Sequence, residues 1–288
     1  MQLKIAANAK INLTLYITGK RDDGYHTLDT IMQSIGLQDL LTLSVCDQPC
    51  IAVTCSNNEL AGEGNLAYQA AKRFLKAIDQ RQKGVAIHIE KHIPLSAGLG
   101  GGSADAAAVL VGLNHLFNEP LTLDELKELA LPLGADVPFC LVGGTCRAMG
   151  IGERLSVLPG VNNGYVVLVK PCEKESTGKM YQKYDEIKGL KDENKCVIIP
   201  KMVSNDLSFV TSLLHNDFLP LYEHEKVHEA INALLDAGAV GASLSGSGPT
   251  VFGLFADADT AQQAKVCLTN GFNQVFCAPF VQTGLEIL

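Results

Sequence analysis

Pro94-Leu95-Ser96-Ala97-Gly98-Leu99-Gly100-Gly101-Gly102-Ser103-Ala104-Asp105-Ala106-Ala107-Ala108 is the stretch on which the reading of this 288-residue chain turns. Four of the five positions 98–102 are glycine, and a strong helix former follows at once. Glycine admits positive φ and lets a ligand approach bare amides. A helix starting there aims unpaired N–H groups and the positive end of its dipole into the loop. The segment therefore reads either as a tight connection or as an anion cradle, the usual anion being a nucleotide phosphate. No Gly-Lys-Ser/Thr follows, so it is not a Walker A loop. Gly98, Gly100 and Gly102 are spaced by two, so the dinucleotide fingerprint is not met either.

Outward from this loop, local patterns predict a mixed chain. Residues 1–18 read as a strand or strand pair, 18–24 as a turn, and 26–54 as two or three short strands. Asn65 is an N-cap for a helix to about Ala77, with Leu66, Ala70, Phe74 and Ile78 on one face. Val85, Ile87 and Ile89 alternate with polar or small residues as a half-buried strand does, and Pro94 ends it. The helix after the glycines is expected from about Ser103 to Phe117, and Thr122-Leu123-Asp124-Glu125 caps another, to about Leu131. Gly143-Gly144 and Gly150-x-Gly152 punctuate further strands. A composition shift at Leu158-Pro159-Gly160 divides the chain into 1–158 and 159–288. Beyond it come a strand at Tyr165–Val169, a short helix at Ser176–Tyr184, a polar stretch expected to be mobile at 186–204, and a helix at Glu225–Asp236. Strands at Thr250–Phe255 and Gln274–Val281 flank a helix from about Asp259 to Leu268, making this half an α+β sandwich.

Composition narrows the function. Hydrophobic residues make up 47% of the chain, enough for one large core or two medium ones. A net charge of −8 argues against nucleic acid or an anionic membrane as partner, while leaving room for a locally positive pocket. Nine irregularly spaced cysteines, with no C-x-x-C pair, read as reduced thiols in a cytoplasmic protein rather than as a metal site. Asn8, Lys10 and Asn12 interrupt any signal-peptide core, and no stretch approaches a membrane span.

Three further motifs accompany the glycine loop. Gly241-Ala242-Ser243-Leu244-Ser245-Gly246-Ser247-Gly248-Pro249-Thr250 reads by itself as a flexible hairpin turn. Lys10 and Asn12, in Ala9-Lys10-Ile11-Asn12-Leu13, point to one face of a strand, as solvated edge groups or as a polar handle facing a site. Asp136, in Gly134-Ala135-Asp136-Val137-Pro138-Phe139, is either a turn or cap residue or a carboxylate at the mouth of a site.

Taken in order, Ala9–Leu13, Pro94–Ala107 and Gly241–Thr250 resemble the three motifs of the GHMP kinases, over nearly the whole chain. Arg21-Asp22-Asp23-Gly24-Tyr25-His26 and Gly64-Asn65-Leu66 resemble one branch, which phosphorylates the 2-hydroxyl of 4-diphosphocytidyl-2-C-methyl-D-erythritol in non-mevalonate isoprenoid synthesis. The resemblance implies an N-terminal domain similar to ribosomal protein S5 domain 2, a ferredoxin-like C-terminal domain, and an active site in the cleft between them. It implies Lys10 and Asp136 as catalytic residues. For ATP it implies Asn65, Leu66, Pro94, Gly98, Leu99, Gly100, Gly101, Gly102, Ser103 and Ala104, the last replacing a serine common in the motif. For the acceptor it implies Asn12, Tyr25, His26, Thr177, Tyr181, Ser245, Gly246 and Ser247. Tyr25 is expected to stack on cytosine, with Tyr181 as a second wall and His26 reading the base edge. No protein ligand for a metal is named, so Mg²⁺ is expected to arrive with ATP. A monomer or homodimer is expected. Two other outcomes stay open: a family member acting on another small alcohol, and a silent ATP-binding homologue.

Overall fold

Apolar residues on alternate positions from Ile5 to Ile17 carry one continuous strand, β1 (Gln2–Lys20), and not a pair. In the computed structural model, which describes residues 2–161, 164–188 and 206–288, it runs antiparallel to a similarly long β2 (His26–Cys46). The expected short strands of 26–54 are thus β2 and β3 (Ile51–Cys55). Bulges at Asn8/Ala9, Asn12/Thr14 and Ile17/Gly19 interrupt the register. A bulge bends a strand and re-aims its side chains, and two of these flank Lys10 and Asn12.

The first half continues with α1 (Leu66–Ala77), β4 (Gly84–Glu90), α2 (Gly101–Leu116), α3 (Leu123–Ala130), α4 (Val137–Val142), β5 (Thr145–Gly150) and β6 (Arg154–Val157). Asn65 caps α1 through Oδ1, which accepts from the Ala67 N–H at 2.8 Å, and Thr122 and Glu125 form a capping box on α3. The end of β2 at Leu40–Cys46 pairs with β4, while Leu28–Gln33 pairs with β5. Helices α1 to α4 cover one face of this sheet around Phe74, Leu110, Leu113 and Phe139. Gly101 and Gly102 belong to α2, which begins two residues earlier than the pattern predicts.

The second half supplies β7 (Tyr165–Val169), α5 (Thr177–Lys188), α6 (Leu207–Leu213), β8 (His215–Asn216), α7 (Glu225–Asp236), β9 (Gly241–Leu244), β10 (Val251–Phe255), α8 (Ala258–Leu268), β11 (Val275–Pro279) and β12 (Leu285–Ile287). Of the polar stretch 186–204, residues 189–204 lie outside the described residues. A four-stranded antiparallel sheet in the order β11–β7–β10–β9 packs α7 and α8 through Val227, Leu234, Ala261 and Leu268. Val166, Leu168, Phe252 and Leu254 pack instead on Ile11, Leu13, Ile31 and Ile35 of β1 and β2. Covered on both faces, β10 is apolar throughout, the pattern expected of a doubly buried strand. The chain is thus α+β with two sheets. Strands β8 and β12 return from the second half to join β1, making the first sheet eight-stranded among the described residues. The described cysteines are free thiols, and burial raises the pKa of Cys146 to about 11.

Candidate active site

The bulges in β1 turn Lys10 and Asn12 toward one cavity. The Lys10 ammonium donates to Asn12 Oδ1 at 2.7 Å and lies 3.4 Å from Asp136 Oδ2. The Asn12 amide is held in that sense because its Nδ2 donates to Thr30 Oγ1 at 2.9 Å, and the Thr30 hydroxyl donates to the Thr14 carbonyl. Lys10 is no solvated edge charge, since its side chain is 5% exposed. Asp136 is the residue before α4, yet its side chain makes no capping bond to that helix. Its carboxylate, 34% exposed, faces Lys10 instead. A buried ammonium hydrogen-bonded to an amide oxygen and paired with a reachable carboxylate can hold an anion and take a proton in the same place.

The glycine loop reaches this pair through its backbone. The Lys10 N–H donates to the Leu99 carbonyl at 3.0 Å. Gly98 and Gly100 have φ of 78° and 72°, which side-chain-bearing residues rarely adopt. A Cβ on Gly98 would meet the Ser245 carbonyl oxygen at 2.3 Å, and one on Gly100 would meet Lys10 Cγ at 3.0 Å. Gly100 is the N-cap of α2 and supplies no side-chain cap, so the first amides of α2 open toward the loop.

The run at 241–250 is a built element rather than a loose hairpin. Ser245 Oγ donates to the Gly98 carbonyl at 3.0 Å, and Tyr222 Oη donates to the Ser247 carbonyl at 2.7 Å. The Asn216 amide donates to the Leu244 and Gly246 carbonyls at 2.8 and 2.9 Å. Thr177 and Ser247 share a hydroxyl hydrogen bond of 3.0 Å. The cavity so enclosed is about 870 Å³ and is lined from both halves of the chain.

Its far end is aromatic. His26 Nε2 lies 2.7 Å from Asp185 Oδ1, and Lys20 donates to the other oxygen of that carboxylate at 2.6 Å. These hydrogen bonds and charges outweigh the effect of burial and hold the Asp185 pKa below its ordinary value. The Tyr181 ring stacks on His26 at 4.5 Å with 13° between planes and meets Phe218 edge-on at 5.0 Å. Burial, then the Asp136 charge, pushes the Tyr181 phenol pKa up.

Most of the residues expected from the sequence border this cavity: Lys10, Asn12, Tyr25, His26, Leu66, Pro94, Gly98 to Ser103, Asp136, Thr177, Tyr181, Gly246 and Ser247. Three do not. Asn65, expected beside adenine, uses Oδ1 on α1 and Nδ2 on the Leu60 carbonyl. Ala104 is buried inside α2, and Ser245 is buried under the loop it supports. Tyr25 stands at the rim, 63% exposed, and the ring packed on His26 is that of Tyr181.

Sequence reasoning missed a buried charge cluster under the glycine loop. Lys91 bonds Asp39 and, at 2.7 Å, Asp105, while Asp39 Oδ1 accepts from the His92 and Ile93 N–H groups at 2.6 and 2.8 Å. Asp105 Oδ1 is buried without a hydrogen-bond partner among the described residues. Burial first, and Asp39 second, raise the Asp105 pKa to about 7 against the pull of Lys91. Burial also acts to lower the Lys91 pKa, but the two carboxylates prevail and raise it. One signal was available: Asp105 is a lone charge in an otherwise alanine-rich helix start. Asp185 and Lys174, which also line the cavity, had no such signal.

Comparison with known proteins agrees with this architecture. Residues 65–144 match the GHMP kinases N terminal domain, and residues 206–274 match GHMP kinases C terminal. The chain is 39% identical over 289 residues to a 4-diphosphocytidyl-2-C-methyl-D-erythritol kinase of Clostridioides difficile (strain 630), covering 99% of this chain and 97% of that protein. It is 43% identical over 269 residues to the protein of that name from Desulfitobacterium hafniense (strain Y51), covering 92% and 90%. A crystal structure of 4-(cytidine 5'-diphospho)-2C-methyl-D-erythritol kinase superposes with a TM-score of 0.76 at 31% identity, covering 96% of this chain and 98% of that one. The Methanococcus jannaschii mevalonate kinase shares the fold alone, with a TM-score of 0.77 at 16% identity over 98% and 99%. With both family domains matched in order and relatives aligned over almost its full length, this two-domain α+β chain belongs to the GHMP kinase family.

Proposed function

We propose that the chain is an ATP-dependent kinase that transfers the γ-phosphoryl group to the 2-hydroxyl of 4-diphosphocytidyl-2-C-methyl-D-erythritol, in the non-mevalonate route to isoprenoids. The observation that carries this reading is the Lys10–Asp136 pair at 3.4 Å, joined through the Lys10 backbone to the glycine loop. The names of the aligned relatives supply the acceptor. In this reading residues 1–158 form a domain similar to ribosomal protein S5 domain 2, residues 159–288 form a ferredoxin-like domain, and the cavity is the interdomain active site.

The residues suit the chemistry. Phosphoryl transfer demands positioning and charge stabilisation more than covalent help. The uncapped start of α2 and the loop at 98–102 form a cradle for a triphosphate, and Leu66 borders it. The acceptor oxygen attacks the γ-phosphorus, its proton passes to the Asp136 carboxylate, and the bond to the bridging oxygen breaks to release ADP. Lys10 offsets the charge gathering at that oxygen. Asn12, Thr177, Gly246 and Ser247 position the acceptor, and His26, Tyr25 and Tyr181 serve its cytosine. The Asp185 carboxylate, which can only accept, anchors His26 through Nε2 and leaves the Nδ1 edge of the ring to meet the base.

Among the described residues, no group of three or more His, Cys, Asp or Glu is arranged to hold a metal. The carboxylates beside the glycine loop are engaged with Lys10 and Lys91. The donor set does not fit a protein-held cation, and Mg²⁺ belongs to this reading as part of the substrate Mg·ATP. The test is to incubate the purified protein with Mg·ATP and 4-diphosphocytidyl-2-C-methyl-D-erythritol, beside a panel of other small alcohols, and follow ADP and phosphorylated product. Turnover restricted to the cytidine compound is expected. Equal turnover across the panel would remove the acceptor assignment, and none with any alcohol would remove the kinase.

A further inference from the structure

Among the described residues four lysines line the cavity, and three of them are neutralised by carboxylates: Lys10 by Asp136, Lys20 by Asp185, and Lys91 by Asp39 and Asp105. The fourth, Lys174, lies between β7 and α5 and is half-buried. It has no hydrogen-bond or ion-pair partner among the described residues. The flanking carboxylates are taken by other lysines: Glu173 lies 3.3 Å from Lys170, and Glu175 lies 3.0 Å from Lys183. Burial lowers the Lys174 pKa, repulsion from Lys10 lowers it further, and Asp136 offsets this only in part. A half-buried cation next to another cation costs stability unless an anion arrives to share the site. Among the described residues only the Asp136 charge works against that cost, and it does so in part.

On the kinase reading above, the anion delivered to the Lys10–Asp136 centre is the phosphoryl group in transit. We propose that Lys174 is a second binding cation for that group, completing with Lys10 a pair that holds the terminal phosphate of the nucleotide. In phosphoryl transfer, charge spreads over three equatorial oxygens, more than one ammonium can meet. A lysine is a compact point charge with rotatable donors, suited to a group that moves between two oxygens.

The test uses the full-length protein and the variants Lys174→Met and Lys174→Arg. Binding of Mg·ADP, of the Mg²⁺ complex of adenosine 5′-(β,γ-imido)triphosphate, and of cytidine diphosphate is measured by calorimetry, with Tm recorded for the ligand-free proteins. Lys174→Met should weaken the imidotriphosphate about tenfold or more, the scale of a lost hydrogen bond to a charged group. It should leave ADP and cytidine diphosphate within about twofold and leave the ligand-free Tm unchanged or higher, as removal of an unpaired charge requires. Lys174→Arg should bind the imidotriphosphate close to wild type. A lower ligand-free Tm in Lys174→Met would mark a structural lysine and overturn the proposal. So would an equal loss for both adenine nucleotides, a loss confined to cytidine diphosphate, or no loss. Wild-type protein that binds neither adenine nucleotide would bring down the kinase reading and this assignment together, whereas normal wild-type binding without the differential loss ends only this assignment.

Discussion

Single residues carry the proposed chemistry, and their geometry makes the expected effects specific. Asp136→Asn keeps the shape of the side chain but removes the proton acceptor beside Lys10. Turnover should fall by roughly 10²–10⁴-fold. ATP affinity, which the proposed function assigns to the backbone of the glycine loop, should change by less than about threefold, as seen in steady-state rates beside nucleotide titration. An equal loss of binding would mean that Asp136 holds the nucleotide rather than the acceptor proton. Lys10 and Asn12 were legible because period two puts them on one strand face. Asp185 was not, because it meets His26 across 159 positions of sequence and no local pattern encodes that distance. Tyr25 was legible as part of a motif, but its exposed place at the rim depends on where Tyr181 packs.

At the level of elements, caps and glycines were read where the chemistry is local. Asn65, Thr122 and the strand at Tyr165–Val169 stand where side-chain type and periodicity put them. Asn65→Ala removes both the α1 cap and the bond to Leu60, and should cost about 1–2 kcal/mol in a urea melt. Gly98→Ala combines a positive φ with a Cβ placed 2.3 Å from the Ser245 carbonyl oxygen. It should cost about 1–3 kcal/mol and weaken nucleotide binding, because the loop must part from the 245–248 turn to fit the methyl group. A variant with unchanged melt and unchanged binding would show that this contact is dispensable. The unbroken length of β1 and β2 escaped local reading. Polar residues within them look like turn punctuation until the cavity and the opposing sheet give each side chain its place.

For the molecule as a whole, stability should depend on pH through one buried cluster. The Asp105 pKa rises from 3.8 to about 7 on folding, so the native state holds a proton that the unfolded chain has released across that range. Stability from this group is complete below about pH 4 and declines as pH rises toward 7. Asp105→Asn cannot release that proton and should lack this decline. Urea midpoints at pH 5 and pH 8 compare the two proteins, and parallel pH dependence in both would remove Asp105 as its source. Lys91, Asp39 and Asp105 come from a loop, a strand and a helix, so the cluster exists only once α2 has docked on the sheet. Read along the chain, hydrophobic period, caps and the glycine loop suffice for the α+β class, most elements and the motif residues, because those signals act over a few residues. The long-range pairings had to wait for folding: the joining of β8 and β12 to the first sheet, the Asp185 carboxylate under His26, and the unmatched charge of Lys174. Each depends on charges and backbone edges brought together from distant positions, where burial sets their energy.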